Sequence, residues 1–198
     1  MMTMKRLSTL ISILLLGIGL HAQQGRELTG SAREEAMQTI LTATQQVKSI
    51  QCDFRQTKSS AMLTTPTEAR GTMHYEAPDK LRWTYTEPTQ YALEDDGESV
   101  ALTGVNGKAN RLMKPLGKLI LTCINGSQLF DERIFQSQIF DNGATYEILL
   151  TSKRKDMQRI FTGILFVIDK KSLTVQRIRL DEKSGDNTLI QFQNIQVK

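Results

Sequence analysis

Residues able to do chemistry are scarce in this sequence. Beyond residue 22 it holds one histidine, His74, and two cysteines, Cys52 and Cys123. A Ser-His-Asp or Cys-His nucleophile would have to be built on His74, which stands in a strand-like stretch without a companion pattern. Zinc needs three or four ligands from Cys, His and carboxylate. One His and two distant cysteines give no ligand spacing, so no metal and no cofactor is expected. Asn106-Gly107-Lys108 reads as a turn, and no G-x-x-x-x-G-K, G-x-G-x-x-G or G-x-S-x-G string occurs. Asp95-Asp96 falls at an expected turn, where solvation accounts for the charges. Lys153-Arg154-Lys155 reads as a solvated turn as well. Nothing supports the two convergent carboxyls of a glycosidase. The inventory points away from an enzyme and toward binding.

The elements that would position a binding site begin after an export signal. Lys5 and Arg6 precede an apolar run from Leu7 to Leu20, and Ala22 follows at a cleavage point. Fourteen helical residues reach about 21 Å, short of the roughly 30 Å hydrocarbon core, so residues 1–22 are expected to be cleaved after Ala22. No cysteine follows the run, which argues against an N-terminal lipid anchor. Removing 22 of the 198 residues would leave 176, enough for a single domain over 23–198. Lys5 and Arg6 account for two of the four net positive charges, so the basic balance is no nucleic-acid footprint. A composition of 39% hydrophobic and 23% charged residues excludes wholesale disorder and a polytopic membrane protein.

Ser31-Ala-Arg-Glu34 has the capping-box pattern, and Met37, Ile40, Leu41, Thr44 and Val47 follow at helical spacing, which predicts a helix over roughly 31–48. From Ile50 the period changes to two. Ile50, Cys52 and Phe54 share one face, then Gly71, Met73 and Tyr75, then Leu81, Trp83 and Tyr85 beyond the Pro78-Asp79 turn. Asp96-Gly97 and Asn106-Gly107 are hairpin signals. Leu119, Ile120, Cys123 and Ile124 have helical spacing, broken at Asn125-Gly126. Strand-like runs resume at about 134–140, 145–151, 160–169, 174–181 and 188–196. The pattern predicts a mainly β (α+β) domain of ten or eleven antiparallel strands with two or three short helices in the concavity of a curved sheet. The least ordered stretches are expected at 23–30, 59–68 and 153–159. Periodicity cannot tell whether the shared apolar faces form a groove or a packed core.

A family resemblance bears on that ambiguity. Phe54-Arg-Gln56-Thr57, Gly71-Thr-Met-His-Tyr75, the hairpin Pro78-Asp-Lys-Leu-Arg-Trp83-Thr-Tyr85-Thr-Glu-Pro88 and Asp96-Gly97 occur in the order found in the LolA family of periplasmic lipoprotein carriers. Tyr146 to Thr151, Gly185 and Ile190-Gln-Phe192 resemble its C-terminal half more loosely. The resemblance implies an unclosed antiparallel β-barrel whose helices lid an apolar cavity. It implies a monomeric periplasmic carrier that takes acylated lipoproteins from an inner-membrane lipoprotein-extracting ABC transporter to an outer-membrane lipoprotein receptor. By the hairpin match Leu81 and Trp83 would line the cavity. Phe54, Met73, Tyr75 and Tyr85 would join them by strand parity, and Met37, Ile40 and Leu41 would face it from the first helix. Where the family often has an arginine before the hairpin proline, this sequence has Ala77. A carrier or sensor of other acyl lipids on the same fold stays open as an alternative. Nucleic acid is not an expected partner.

Two thiols in an exported protein can form a bridge or stay apart as small apolar residues. Cys52 shares a strand face with Ile50 and Phe54, which suits packing. Titration of the denatured, unreduced mature protein with a thiol reagent should therefore find two free thiols; finding none would establish a bridge.

Overall fold

The computed structural model describes residues 25–198 apart from 61, 63, 105–116, 118, 119, 122, 123, 125 and 127. The export signal, the Asn106-Gly107 turn, Leu119 and Cys123 lie outside the described residues. Eleven strands form one antiparallel, unclosed sheet. They are β1 (Arg26–Glu27), β2 (Ser49–Ser59), β3 (Thr67–Glu76), β4 (Lys80–Glu87), β5 (Tyr91–Asp95), β6 (Val100–Thr103), β7 (Phe135–Asn142), β8 (Thr145–Ser152), β9 (Phe161–Asp169), β10 (Val175–Glu182) and β11 (Asn187–Val197). Their spatial order is β1-β7-β8-β9-β10-β11-β2-β3-β4-β5-β6. Two hairpin meanders are thus joined where β11 pairs with β2, Phe192 opposite Phe54. The period-two runs become strands because alternate residues meet one core: Met73 faces Trp83, Tyr75 faces Leu81, and Gly71 faces Tyr85.

Helix α1 (Gly30–Gln45) covers the apolar face with Ala36 and Ile40. Ser31-Ala-Arg-Glu34 does not cap it. The N-cap is Thr29, without a side-chain cap bond, and the helix ends before Val47. Gly30, at φ +55, starts the helix one residue earlier than the serine. Gly117, Ile120, Leu121 and Ile124 are helical, and Ile120 joins the same core. The stretches expected to be irregular are partly ordered. Arg26–Glu27 pairs with β7 and Leu28 is buried. Strands β2 and β3 shorten the loop between them, and Lys155–Gln158 forms a four-residue helix.

The core is anchored by aromatic rings on neighbouring strands. The Phe54 ring lies 4.2 Å from Trp83 and meets Tyr85 edge-on at 5.1 Å. Phe192 meets Trp83 edge-on at 6.0 Å. The Tyr85 hydroxyl donates to Gln56 Oε1 at 2.7 Å, so a buried phenol keeps a partner. Gly71 makes room for this stack: a Cβ there would stand 1.9 Å from the Thr84 carbonyl oxygen and 2.6 Å from the Phe54 ring. Gly71→Ala should therefore destabilise the fold by about 1–3 kcal/mol, the range of overpacked cores. Thr72→Ala, on the exposed face beside it, should stay within about 0.5 kcal/mol. Urea unfolding of the two variants compares them.

Candidate functional site

The nine residues singled out from the sequence divide into two groups. Phe54, Met73, Tyr75, Leu81, Trp83 and Tyr85 are buried in one cluster, together with Ile40 of the helix. Met37 is half-buried against that cluster, and Leu41 is half-buried outside it. The phenols are closely held. Tyr75 donates to the Pro78 carbonyl at 3.0 Å, Tyr85 donates to Gln56, and Tyr85 stacks on Tyr91 at 4.4 Å. Burial pushes the hydroxyls of Tyr75, Tyr85 and Tyr91 upward, so each stays neutral. Among the described residues, no group meets the Trp83 indole N–H in hydrogen-bond geometry.

Beside this cluster opens an apolar pocket with an empty volume of about 630 Å3, its mouth included. Little of that space admits the centre of a water molecule. Thr44 and Val47 bound it at the end of α1, Ile120 and Ile124 from the second helical segment. Ile50, Cys52 and Met73 come from β2 and β3. Val175, Ile178, Phe192, Ile195 and Val197 come from β10 and β11, and Leu173 and Thr174 from the turn before β10. Phe192 is one of these lining residues, and its ring also meets Trp83 edge-on. Of the nine residues, Met73 alone lines this pocket. The others lie deeper, or on the helix beside it.

What encloses the pocket is a thin helical layer. Arg33 of α1 donates from Nη2 to Ser137 Oγ on β7 at 2.9 Å, and from Nη1 to Met37 Sδ at 3.0 Å. Gly126, at φ +63, lets the end of α1 approach closely, since a Cβ there would stand 2.1 Å from Thr44 Oγ1. Leu173, at φ +53, occupies the left-handed position of the β9–β10 turn. Glycine or asparagine is usual there, and a branched side chain costs about 1–2 kcal/mol. Leu173 also lines a groove along α1 beside Thr39, Thr42 and Ala43.

The residues of other possible chemistry lie elsewhere. His74 is exposed on β3, opposite Arg82. Asp95 and Asp96 are turn acceptors rather than merely solvated charges. Asp95 takes the Gly97 N–H at 3.0 Å, and Asp96 takes those of Ser99 and Glu98 at 2.7 and 3.0 Å. Those backbone N–H groups, Ser99 first, hold the Asp96 carboxyl below its usual range. Lys153 donates to the Glu132 carbonyl, and Arg154 pairs with Asp156 at 2.7 Å. Among the described residues no group of three or more His, Cys, Asp or Glu could hold a metal ion. None of the described helices is long and apolar enough to cross a membrane.

Sequence reasoning missed the walls from β10 and β11 and the turn between β9 and β10. The alternation of Ile178 with Leu180 and of Ile190 with Phe192 was visible. That these strands pack beside β2, and so across from the helix end, follows only from the β11–β2 pairing.

Residues 45–198 match the sequence profile of the LolA family, described as outer membrane lipoprotein carrier protein. An outer-membrane lipoprotein carrier protein of Cupriavidus taiwanensis is 27% identical over 84% of this chain and 78% of its own. Among solved structures, a LolA superfamily protein of Nitrosomonas europaea is 12% identical, with a TM-score of 0.45 over 82% of this chain and 93% of that one. The Mycobacterium tuberculosis lipoprotein LppX is 14% identical, with a TM-score of 0.43 over 84% of this chain and 96% of that one.

Cys52 reports on how well the pocket is sealed. It is a free, buried thiol, and burial, with Asp53 adding to it, pushes its pKa from 9.0 up to about 12. The folded state thus holds this proton more tightly than the unfolded chain. The stability it contributes is full below about pH 9 and is lost as pH rises toward 12. At about pH 8 its thiolate fraction lies roughly a thousandfold below that of an ordinary cysteine. In a Cys123→Ser background, native Cys52 should react with iodoacetamide at least about a hundredfold more slowly than in urea. Equal rates would mean an open pocket.

Proposed function

The chain belongs to the LolA family of outer membrane lipoprotein carrier proteins, and from that membership and the apolar pocket we propose that it carries acylated lipoproteins by shielding their acyl chains. The observation that carries this reading is the pocket itself, whose described lining residues are all apolar apart from Thr44 and Thr174. A chain of about sixteen carbons gains up to roughly 13 kcal/mol on leaving water, at about 0.8 kcal/mol per methylene. Such a chain does not cross an aqueous compartment unaided, and an apolar pocket offers it a surface out of water.

The narrow pocket is the closed form of a larger cavity. When α1 lifts, Phe192 and Met73 give way and the chains reach the faces of Phe54, Trp83, Tyr85, Tyr75 and Leu81. Met37, Ile40 and Leu41 follow the helix as the lid. A core of aromatic rings on a continuous sheet keeps its shape when the helix leaves, because the rings are fixed by strand register rather than by the lid. In place of the arginine before the hairpin proline, Arg33 of α1 ties the lid to Ser137. Ala77 is left with a backbone bond from its N–H to the Lys48 carbonyl. The carrier works as a monomer in the periplasm. It receives cargo from an inner-membrane lipoprotein-extracting ABC transporter and yields it to an outer-membrane receptor. It does no chemistry on the cargo.

Purified mature protein added to spheroplasts of its host should release a labelled triacylated lipoprotein as a soluble one-to-one complex. Release should fail when the acyl-bearing cysteine of the lipoprotein is replaced. Val47→Glu, which puts a charge at the half-exposed rim of the pocket, should lower release at least about tenfold while the fold persists. Absence of release, with free lipid recovered from the purified protein, would replace lipoproteins by another acyl lipid as cargo.

A further inference from the structure

The sheet has an internal gap beside the pocket. Strands β10 and β11 are in register from Asp181↔Asn187 up to Arg177↔Gln191 and part beyond that pair. Each strand bends away at its own irregularity. The β9–β10 register shifts between Val175 and Arg177, and the β11–β2 register shifts between Gln193 and Gln196. Bulges bend strands and end pairing in this way. The two non-glycine residues at positive φ among the described residues, Leu173 and Asn194, stand one on each side of the gap. Thr174, Phe192, Ile195 and Val197 line both the inner pocket and a depression on the outer surface. On this side, the stretch between pocket and solvent lies beyond the last β10–β11 pair and is not bridged by that ladder.

Leu173 closes that wall against the helix. Its backbone adopts a conformation that a glycine would take without strain. It lines both the inner pocket and the groove along α1. A leucine held where the turn favours glycine indicates that its side chain has a task there. We propose that the gap between β10 and β11 is the portal through which acyl chains pass into the pocket, with Leu173 as its gate. The inference rests on the acyl-carrier reading above and adds the route. A chain sliding endwise through a slot lined by Ile195 and Val197 need not wait for α1 to lift completely. Phe192, Ile195 and Val197 offer it apolar contact in the slot, while Ser172, Gln176, Gln193 and Asn194 edge the outer depression.

Trp83 is the single tryptophan of the chain and touches the pocket wall through Phe192. A bromine-substituted stearate that enters the pocket should quench its fluorescence. Stopped-flow mixing with the full mature protein gives the uptake rate, and a chase with excess plain stearate gives the release rate. Leu173→Gly, which keeps the turn and removes the gate, should accelerate both rates at least fivefold. Leu173→Asn, also at ease at positive φ, should do the same in part and serves if the glycine variant does not fold. Val197→Asp, placing a carboxylate at the exposed outer rim, should slow uptake at least tenfold. A gate moves uptake and release in one direction, whereas a lost wall contact raises release alone. Quenching by the unmodified protein with both rates unchanged in the Leu173 variants would overturn the portal and leave the carrier reading in place. Faster rates in those variants without slowing in Val197→Asp would place the route between the helices and also overturn it. No quenching of the unmodified protein would overturn the portal together with the acyl-carrier reading.

Discussion

A single open sheet has to hide one whole apolar face, and among the described residues a thin helical layer covers it. That constraint governs the rest of the molecule. Eleven strands place Phe54, Met73, Tyr75, Leu81, Trp83, Tyr85, Ile190 and Phe192 on the same side. Helix α1 answers them with just two fully buried side chains, Ala36 and Ile40. The strands are bound to one another by a ladder and by stacked rings. Among the described residues the helix is held by those two side chains, by half-buried Met37, by the Arg33–Ser137 bond and by the close approach at Gly126. Stability is therefore unevenly distributed, and the sheet can keep its shape while its cover moves.

The stack around Trp83 shows how that shape is secured. Phe54 and Gln56, two residues apart on β2, hold Trp83 and Tyr85, two residues apart on β4, through a ring contact and a hydroxyl bond. Between them runs β3, where Gly71 removes the one side chain that would obstruct the Phe54 ring. The F-x-Q, G-x-M and W-x-Y strings are thus parts of one contact spread over three strands. The pocket lies at the edge of this stack, where β10 and β11 diverge and the ring of Phe192 ends the packed region. An apolar surface with incomplete packing is what a reversible binder of hydrocarbon needs, because full complementarity would already be satisfied without a ligand.

Much of the fold was legible because strand alternation and turn chemistry are local properties. The runs at 145–151, 160–169, 174–181 and 188–196 became β8 to β11 within a residue or two at each end. Gly97, Gly143 and Gly185 take the positive φ their turns require. The capping box failed because the pattern Ser31-x-x-Glu34 states what a helix start can use, while Gly30 set where this helix begins. Asp95 and Asp96 were visible as turn residues, yet their role as acceptors of particular backbone N–H groups depends on the turn's geometry.

The amino-acid sequence by itself determined the class of the protein. Alternating apolar residues require a sheet with one buried face. It also determined which residues share a face, since side-chain direction on a strand repeats every two residues whatever the strand's neighbours. Only the tertiary structure decided which of those residues are walls and which are filling. Leu81, Trp83 and Tyr85 are packed on every side, while Phe192, Val175 and Ile178, of the same chemical kind, border empty space. The difference is long-range: it arises where β11 returns to β2 and parts from β10, a junction of residues more than a hundred positions apart. The alternation breaks at Val175-Gln-Arg-Ile178 and again at Phe192-Gln-Asn-Ile195, but no local pattern says that the two irregularities fall side by side.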